Sequence, residues 1–222
     1  MRVPSRLMVA AAFCSLAIAG CQGSAPQPDS LPTPPSGGTA RLTVLNGAYS
    51  VEVVAGPVTQ SEALLASSRR SPTSYSIVAT PEGAYSLRFS RPGGGSQSWT
   101  VRLSRKLGWA VVVEGGTTHL VLDLSGLQVR SLVIAAGAYT MVVDLPPAQA
   151  EVPVEVTGGA NQMTFLIARG SRATLLAGPG VSRVQGGSPE GPRRYLVGSS
   201  SSAAGYQIRV TSGAALVVLS SS

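Results

Sequence analysis

The sequence of 222 residues has one histidine, one lysine and two cysteines, and only 12 % of its residues are charged. Both cysteines, Cys14 and Cys21, lie near the start, so the rest of the chain has no thiol for a disulfide, a metal or a nucleophile. His119 cannot form a histidine metal site by itself. We therefore predict that the protein uses no metal and no cofactor.

Motifs of common enzymes are also missing from the sequence. It contains no Gly-x-Ser-x-Gly turn, and Leu103 stands where a Ser-x-x-Lys motif ending at Lys106 would need serine. The carboxylates Asp123, Asp144 and Glu155 come near predicted strand ends, where stacked strands would bring some of them together as a calcium site. We favour the simpler interpretation that they are solvated and pair with arginine, and we predict no enzyme.

No segment shows a sustained helical period, because glycine or proline interrupts nearly every candidate. Short runs rich in Val, Leu and Ile alternate with Gly-containing corners, which predicts an all-β protein. Gly115, Gly137 and Gly159 recur at a regular step whose length is typical of one coil of a parallel β-solenoid. An antiparallel β-sandwich is the alternative, because the same strands could pair in sequence order.

The solenoid hypothesis makes a register prediction. If the three glycines occupy equivalent corners, the residues three positions earlier, Val112, Ile134 and Val156, should form one ladder inside the core. A β-branched residue at a special corner conformation is strained, so we expect Gly137→Val to destabilise the fold by about 1 kcal/mol or more.

Residues 1–20 resemble a bacterial lipoprotein signal peptide. Arg2 and Arg6 precede an apolar run, residues 7–18, that is too short to span a bilayer comfortably. The run leads into Ile18-Ala-Gly-Cys21, which resembles a lipobox, with cleavage between Gly20 and Cys21 and lipid on the Cys21 thiol. The alternative is an ordinary secretory signal with a chance cysteine.

Residues 21–39, rich in Pro and Ser, are predicted to be a disordered tether. We therefore expect a protein anchored to a membrane by lipid, on the cell surface or facing the periplasm. Loss of Arg2 and Arg6 with the leader would lower the formal net charge from +7 to +5. The scattered arginines indicate a solvated strand face or attraction to anionic lipid or wall polymer, and we predict no nucleic-acid partner.

Three tyrosines share a local pattern. Tyr49, Tyr85 and Tyr139 each follow a Gly-Ala pair, so they are predicted to stack at the corners of successive coils and form a possible ligand face. The alternative is that each ring shields the backbone of its glycine corner. His119 follows two threonines and is predicted to lie in a turn.

The Gly-containing strand pattern from Asp123 to Ile134, with Gly137-Ala138 and Gly158-Gly159-Ala160, resembles the adhesin-like toastrack family of bacterial β-solenoid domains. Related domains occur in cell-wall stress regulators of the LiaF kind. The resemblance covers residues 99–222, while residues 40–98 are predicted to be a β subdomain or further coils.

The resemblance implies a structural or scaffolding role without a known reaction. We expect a non-enzymatic envelope protein whose rigid β surface contacts another protein or a wall polymer. The alternative is a partner-dependent sensor or modulator of envelope-stress signalling.

Overall fold

The computed structural model describes residues 38–57, 64–68, 75–80, 84–89, 98–198 and 204–222. The predicted signal peptide, the cleavage site at Gly20 and Cys21, and residues 21–37 of the predicted tether lie outside them. Every regular element in the described residues is a β-strand, so the all-β prediction is confirmed. These residues contain no helix that could cross a membrane.

The alternation of buried and exposed residues explains why these segments form strands. In the segment Glu151–Val156 the three valines are buried and the residues between them are exposed. The strands are β1 (Thr39–Val44), β2 (Ser50–Ala55), β3 (Leu64–Ser68), β4 (Tyr75–Ala79), β5 (Ala84–Phe89), β6 (Ser98–Leu103), β7 (Gly108–Val113), β8 (Thr117–Asp123), β9 (Gln128–Ile134), β10 (Ala138–Leu145), β11 (Glu151–Val156), β12 (Ala160–Ile167), β13 (Arg172–Ala177), β14 (Val184–Gln185), β15 (Ser188–Gly191), β16 (Arg194–Val197), β17 (Gly205–Val210) and β18 (Ala214–Ser221).

The strands form two sheets. Sheet A has the order β15-β16-β13-β17-β11-β9-β7-β1-β5-β4, and sheet B has the order β14-β18-β12-β10-β8-β2-β6-β3. Seven successive pairs, each with one strand in either sheet, form the coils of a stack: β1/β2, β5/β6, β7/β8, β9/β10, β11/β12, β13/β14 and β17/β18. Neighbouring coils pair in parallel in both sheets, which confirms the solenoid and excludes the antiparallel sandwich.

The coils do not stack in chain order. The first coil, β1/β2, lies between β5/β6 and β7/β8, and the last coil, β17/β18, lies between β11/β12 and β13/β14. Antiparallel strands extend the outer coils: β4 and β3 pair with β5 and β6, and β16 pairs with β13. Strands from residues 40–98 thus belong to the same sheets as the later ones. The domain boundaries at residues 20, 39 and 98 stay predictions.

A column of glycines marks the corner that leads from sheet A to sheet B. The backbone N–H that follows a glycine donates to the glycine carbonyl of the next coil, as Thr117 does to Gly137 and Ala138 to Gly159, at 3.0 Å. The column contains Gly116, Gly137, Gly159, Gly213 and Gly180.

The predicted register is wrong by one residue at Gly115. The coil from Gly116 to Gly137 is one residue shorter than the coil from Gly137 to Gly159. Counting back from Gly137 by the length of the longer coil therefore pointed to Gly115 instead of Gly116.

The predicted ladder contains the same one-residue error. Ile134 pairs with Val156 in the core as expected, but their partner on β7 is Val113. Val112 pairs with Val133, and its side chain stays largely buried. Strand alternation places Val112 on the opposite face of sheet A from Val113.

The predicted reason for strain at Gly137 is also wrong. Its φ angle is not in the left-handed region, and an added Cβ would meet Gly159 O at 3.6 Å, an ordinary contact. The close backbone approaches lie one residue earlier, at Gly115 and Gly158, where a Cβ would overlap the backbone of the neighbouring coil.

The core fills the space between the two sheets. Ladders of Val, Leu and Ile from successive coils meet there, and Trp109, Tyr85 and Tyr206 are the large side chains contributed by sheet A. The Trp109 Nε1–H donates to Ser104 O at 2.9 Å, and the Tyr206 hydroxyl donates to Pro146 O at 2.6 Å. Burial raises the pKa of the Tyr206 hydroxyl well above its usual value, so it remains a proton donor.

Candidate ligand-binding surface

Two of the three predicted tyrosines lie at equivalent positions of the glycine corner. Ser50 and Thr140 both pair with His119, so Tyr49 and Tyr139 flank Thr118, the residue before His119 on the coil between them. Two strand spacings separate the tyrosine backbones, about 10 Å. The side chains are 46 % and 60 % exposed. Whether these rings bind a ligand stays a prediction.

Tyr85 does not belong to this surface, and the prediction of one face with all three tyrosines is wrong. Its side chain is 1 % exposed, and the centroids of the Tyr85 and Trp109 rings are 6.0 Å apart. Tyr85 pairs with the buried Leu42 within sheet A, whereas the other two tyrosines lie where the chain enters sheet B. The shared Gly-Ala-Tyr pattern therefore occurs in two different parts of a coil.

His119 lies in strand β8, so the prediction that it lies in a turn is wrong, and it joins the two tyrosine coils. Its Nδ1 lies 2.7 Å from Thr140 Oγ1, and its ring meets the Tyr49 ring edge to face with centroids 5.2 Å apart. The distances between these residues in the sequence do not predict this cluster. β2 lies beside β8 only because the first coil stacks next to β7/β8 and not at the end of the stack.

The backbone holds Tyr49 in place. Its carbonyl oxygen accepts hydrogen bonds from the backbone N–H groups of Thr118 and His119 at 3.1 and 3.0 Å, and from the Thr117 hydroxyl at 3.1 Å. These bonds join Tyr49 to the adjacent coil, so the ring is carried by a backbone that is fixed on one side by three donors.

Amide side chains continue the same two positions on the next coil. Thr140 pairs with Gln162, and Asn161 therefore lies beside Tyr139, with both amide side chains exposed. We call these two consecutive rows of residues the corner band. The first row is Tyr49, Thr118, Tyr139 and Asn161, and the second row is Ser50, His119, Thr140 and Gln162. The corner band combines exposed aromatic rings with neutral hydrogen-bonding groups and has no charged side chain.

A pair of carboxylates lies at the other end of the sheet B strands. Asp123 and Asp144 are in register on β8 and β10, whereas Glu155 lies in sheet A. Desolvation, with a smaller contribution from the Asp123 charge, raises the pKa of Asp144. Asp123 accepts hydrogen bonds from the Ser125 hydroxyl at 2.7 Å and the Ser125 N–H at 3.2 Å.

This pair does not form a larger ligand set for a metal ion. Within the described ranges no three His, Cys, Asp or Glu side chains are grouped to hold a metal ion. Glu155 lies in sheet A and the two aspartates lie in sheet B, so the three carboxylates are not at equivalent positions of the coils as predicted.

A small cavity of about 90 Å³ opens where β9 and β11 have not yet begun to pair. The pairing starts at Val154, after Pro153, which has no N–H to donate. Gln128, Arg130 and Glu151 line the cavity, together with buried Tyr206. It has room for a few water molecules but not for a typical small-molecule ligand.

Comparisons with known proteins identify the architecture. A family model described as the N-terminal domain of toast_rack, DUF2154, matches residues 38–166. The crystal structure of a protein described as a "putative cell adhesion protein" from Clostridium sporogenes is similar with a TM-score of 0.66 and 15 % identity, covering 86 % of this chain and 97 % of that chain. At this identity the likeness shows the fold. No curated protein matches the sequence.

Proposed function

Since the chain belongs to the toast_rack family through residues 38–166, we propose that it is a non-catalytic protein whose rigid β surface contacts another protein or a cell-wall polymer. The observation that supports this proposal is the corner band, where exposed aromatic and polar side chains lie in register on adjacent coils. A repeated surface of this kind suits contact with an extended partner.

The backbone under the corner band favours a recognition surface over a mobile one. The corner hydrogen bonds between coils continue through Ala160 to Gly213 and Ala214 to Gly180, both at 3.1 Å. Backbone groups that are fixed before binding lose little conformational entropy when a partner arrives, and this lowers the free-energy cost of association.

We also propose that the protein is exported and anchored through lipid on Cys21, on the cell surface or facing the periplasm. The basic and apolar leader followed by Ile18-Ala-Gly-Cys21 supports this part of the proposal. A tether between Cys21 and β1 would allow the folded coils to reach envelope components away from the membrane.

The test is binding of the full-length protein, purified in detergent, to envelope preparations from the cells that produce it. We expect saturable retention on wall or membrane fractions. Retention that disappears when the envelope is treated with protease would identify the contacted component as a protein, and retention that survives the treatment would identify it as a polymer. Absence of saturable retention on every fraction would contradict the proposed contact function.

A further inference from the structure

We propose that the corner band binds a neutral oligosaccharide that lies across the coils. The inference rests on the contact function proposed above and specifies its ligand. Exposed rings and uncharged donors and acceptors lie on three adjacent coils, β1/β2, β7/β8 and β9/β10. The next coil, β11/β12, adds two amide side chains.

Tyr139 supplies the most open aromatic face. Its side chain is 60 % exposed, and the equivalent positions on either side hold the smaller residues Thr118 and Asn161. One face of a sugar ring is formed by C–H groups, which pack against an aromatic ring and gain free energy from burial of apolar area. Tyr49 offers a second ring two coils away.

Hydroxyl groups of a sugar need donors and acceptors beside the aromatic rings. Thr140, Asn161 and Gln162 provide an alcohol and two amides, each of which both donates and accepts. The contact of His119 Nδ1 with Thr140 and its ring contact with Tyr49 fix the imidazole between the two rings. Its Nε2 is the remaining imidazole nitrogen that a ligand hydroxyl would meet.

The charge distribution favours a neutral ligand over an anionic polymer. None of the eight residues of the corner band is charged. Gln162 pairs with Leu216 on the next coil, and Arg183 lies beside Leu216 on the coil after that, two coils away from Gln162. Two residues after Ser50 on β2, the carboxylate of Glu52 accepts a hydrogen bond from the Thr100 hydroxyl at 2.9 Å. An anionic chain would therefore find no cationic partner among the residues of the corner band.

The length of the corner band suits a short chain of sugars. From Tyr49 to Asn161 it crosses three strand spacings, about 14 Å. The rings and amides of the corner band are exposed, so several ring and hydroxyl contacts must add up to give useful affinity. We therefore expect weak binding of single sugars and tighter binding of oligomers.

The experiment is titration of the full-length protein in detergent with neutral oligomers of glucose, mannose, galactose and N-acetylglucosamine, followed by calorimetry and tyrosine fluorescence. Tyr139→Ala and Tyr49→Ala should each weaken binding of the preferred oligomer at least tenfold. Leu176→Ala is the matched control, because Leu176 is also exposed, at 44 %, but lies in sheet A. It should leave binding unchanged.

Three outcomes would overturn the inference. They are no binding of any neutral oligomer, binding that both tyrosine variants retain, and binding that Leu176→Ala weakens equally. If the protein still binds envelope fractions saturably in any of these cases, the contact function stands and only its ligand class fails. If envelope binding is absent as well, both fail. Circular dichroism of each variant separates lost binding from lost folding.

Discussion

Gly158 lies directly against the carbonyl oxygen of Ala136 on the neighbouring coil, with no room between them for a side chain. An added Cβ would overlap that oxygen, which belongs to backbone and cannot turn away. The next residue, Gly159, would place its Cβ at an ordinary 3.4 Å from Gly213 O. Close stacking at this corner therefore depends on one glycine position and tolerates change at the next.

We predict that Gly158→Ala destabilises the protein by about 1–3 kcal/mol, the usual cost of forcing extra atoms into a packed site. Gly137→Ala is the control, because its Cβ would meet Gly159 O at 3.6 Å. It should change the free energy of unfolding by less than about 1 kcal/mol. Urea unfolding of both variants gives the comparison, and equal losses would contradict the difference in backbone approach.

The pH dependence of stability should reveal Asp144. Burial and the neighbouring Asp123 raise its pKa in the folded state above the ordinary value of 3.8. The folded state therefore holds the proton more tightly than the unfolded state does. The contribution of Asp144 to stability is complete below pH 3.8 and is lost as pH rises through the raised pKa.

Asp144→Asn should therefore be more stable than the original protein at neutral pH and should lose this part of the pH dependence. Asp123→Asn should remove only the smaller, charge-dependent part, because desolvation of Asp144 remains. Thermal unfolding from acidic to neutral pH measures both variants. An unchanged pH profile in Asp144→Asn would show that the raised pKa has no effect on folding.

Lipidation should require Cys21 and not Cys14. In the proposed export pathway Cys14 is discarded with the leader, so Cys14→Ala should still give a mature protein that fractionates with membranes. Cys21→Ala should lose the acyl mass and leave the membrane fraction. Fractionation and mass spectrometry of the mature N-terminus measure both effects, and membrane retention of an unmodified Cys21→Ala protein would contradict the anchor.

Much of the fold could be predicted because local patterns repeat in each coil. Glycine corners between runs of Val, Leu and Ile indicated parallel stacking, and Ile134 and Val156 do share a ladder. The register could not be predicted in full, because coils of unequal length follow one another along the chain. Arg130 is the extra residue of a bulge where β9 pairs with β7, which shifts the alignment within one strand.

The candidate surface was harder to predict, because it depends on which coils are neighbours. Tyr49 meets His119 only because the first coil enters the stack beside β8, and local sequence carries no signal for that displacement. Tyr85 follows the same Gly-Ala pair but lies in the core, where burial raises the pKa of its hydroxyl. The sequence pattern therefore identified Tyr49 and Tyr139 as corner residues, was wrong for Tyr85, and could not identify the neighbours of any of them.

The displaced last coil leads to the final prediction. In a solenoid stacked in chain order, removal of the last coil would shorten the stack from one end. Here β17 pairs with both β11 and β13, and β18 pairs with both β12 and β14, so the coil joins its two neighbours.

A protein that ends at Gly198 should lose cooperative unfolding, because β13 and β14 would have no parallel partner. A control that lacks only Ser222 keeps these strand pairs and should unfold cooperatively in urea. Cooperative unfolding of the shorter protein, with stability close to that of the control, would contradict a joining role for the last coil.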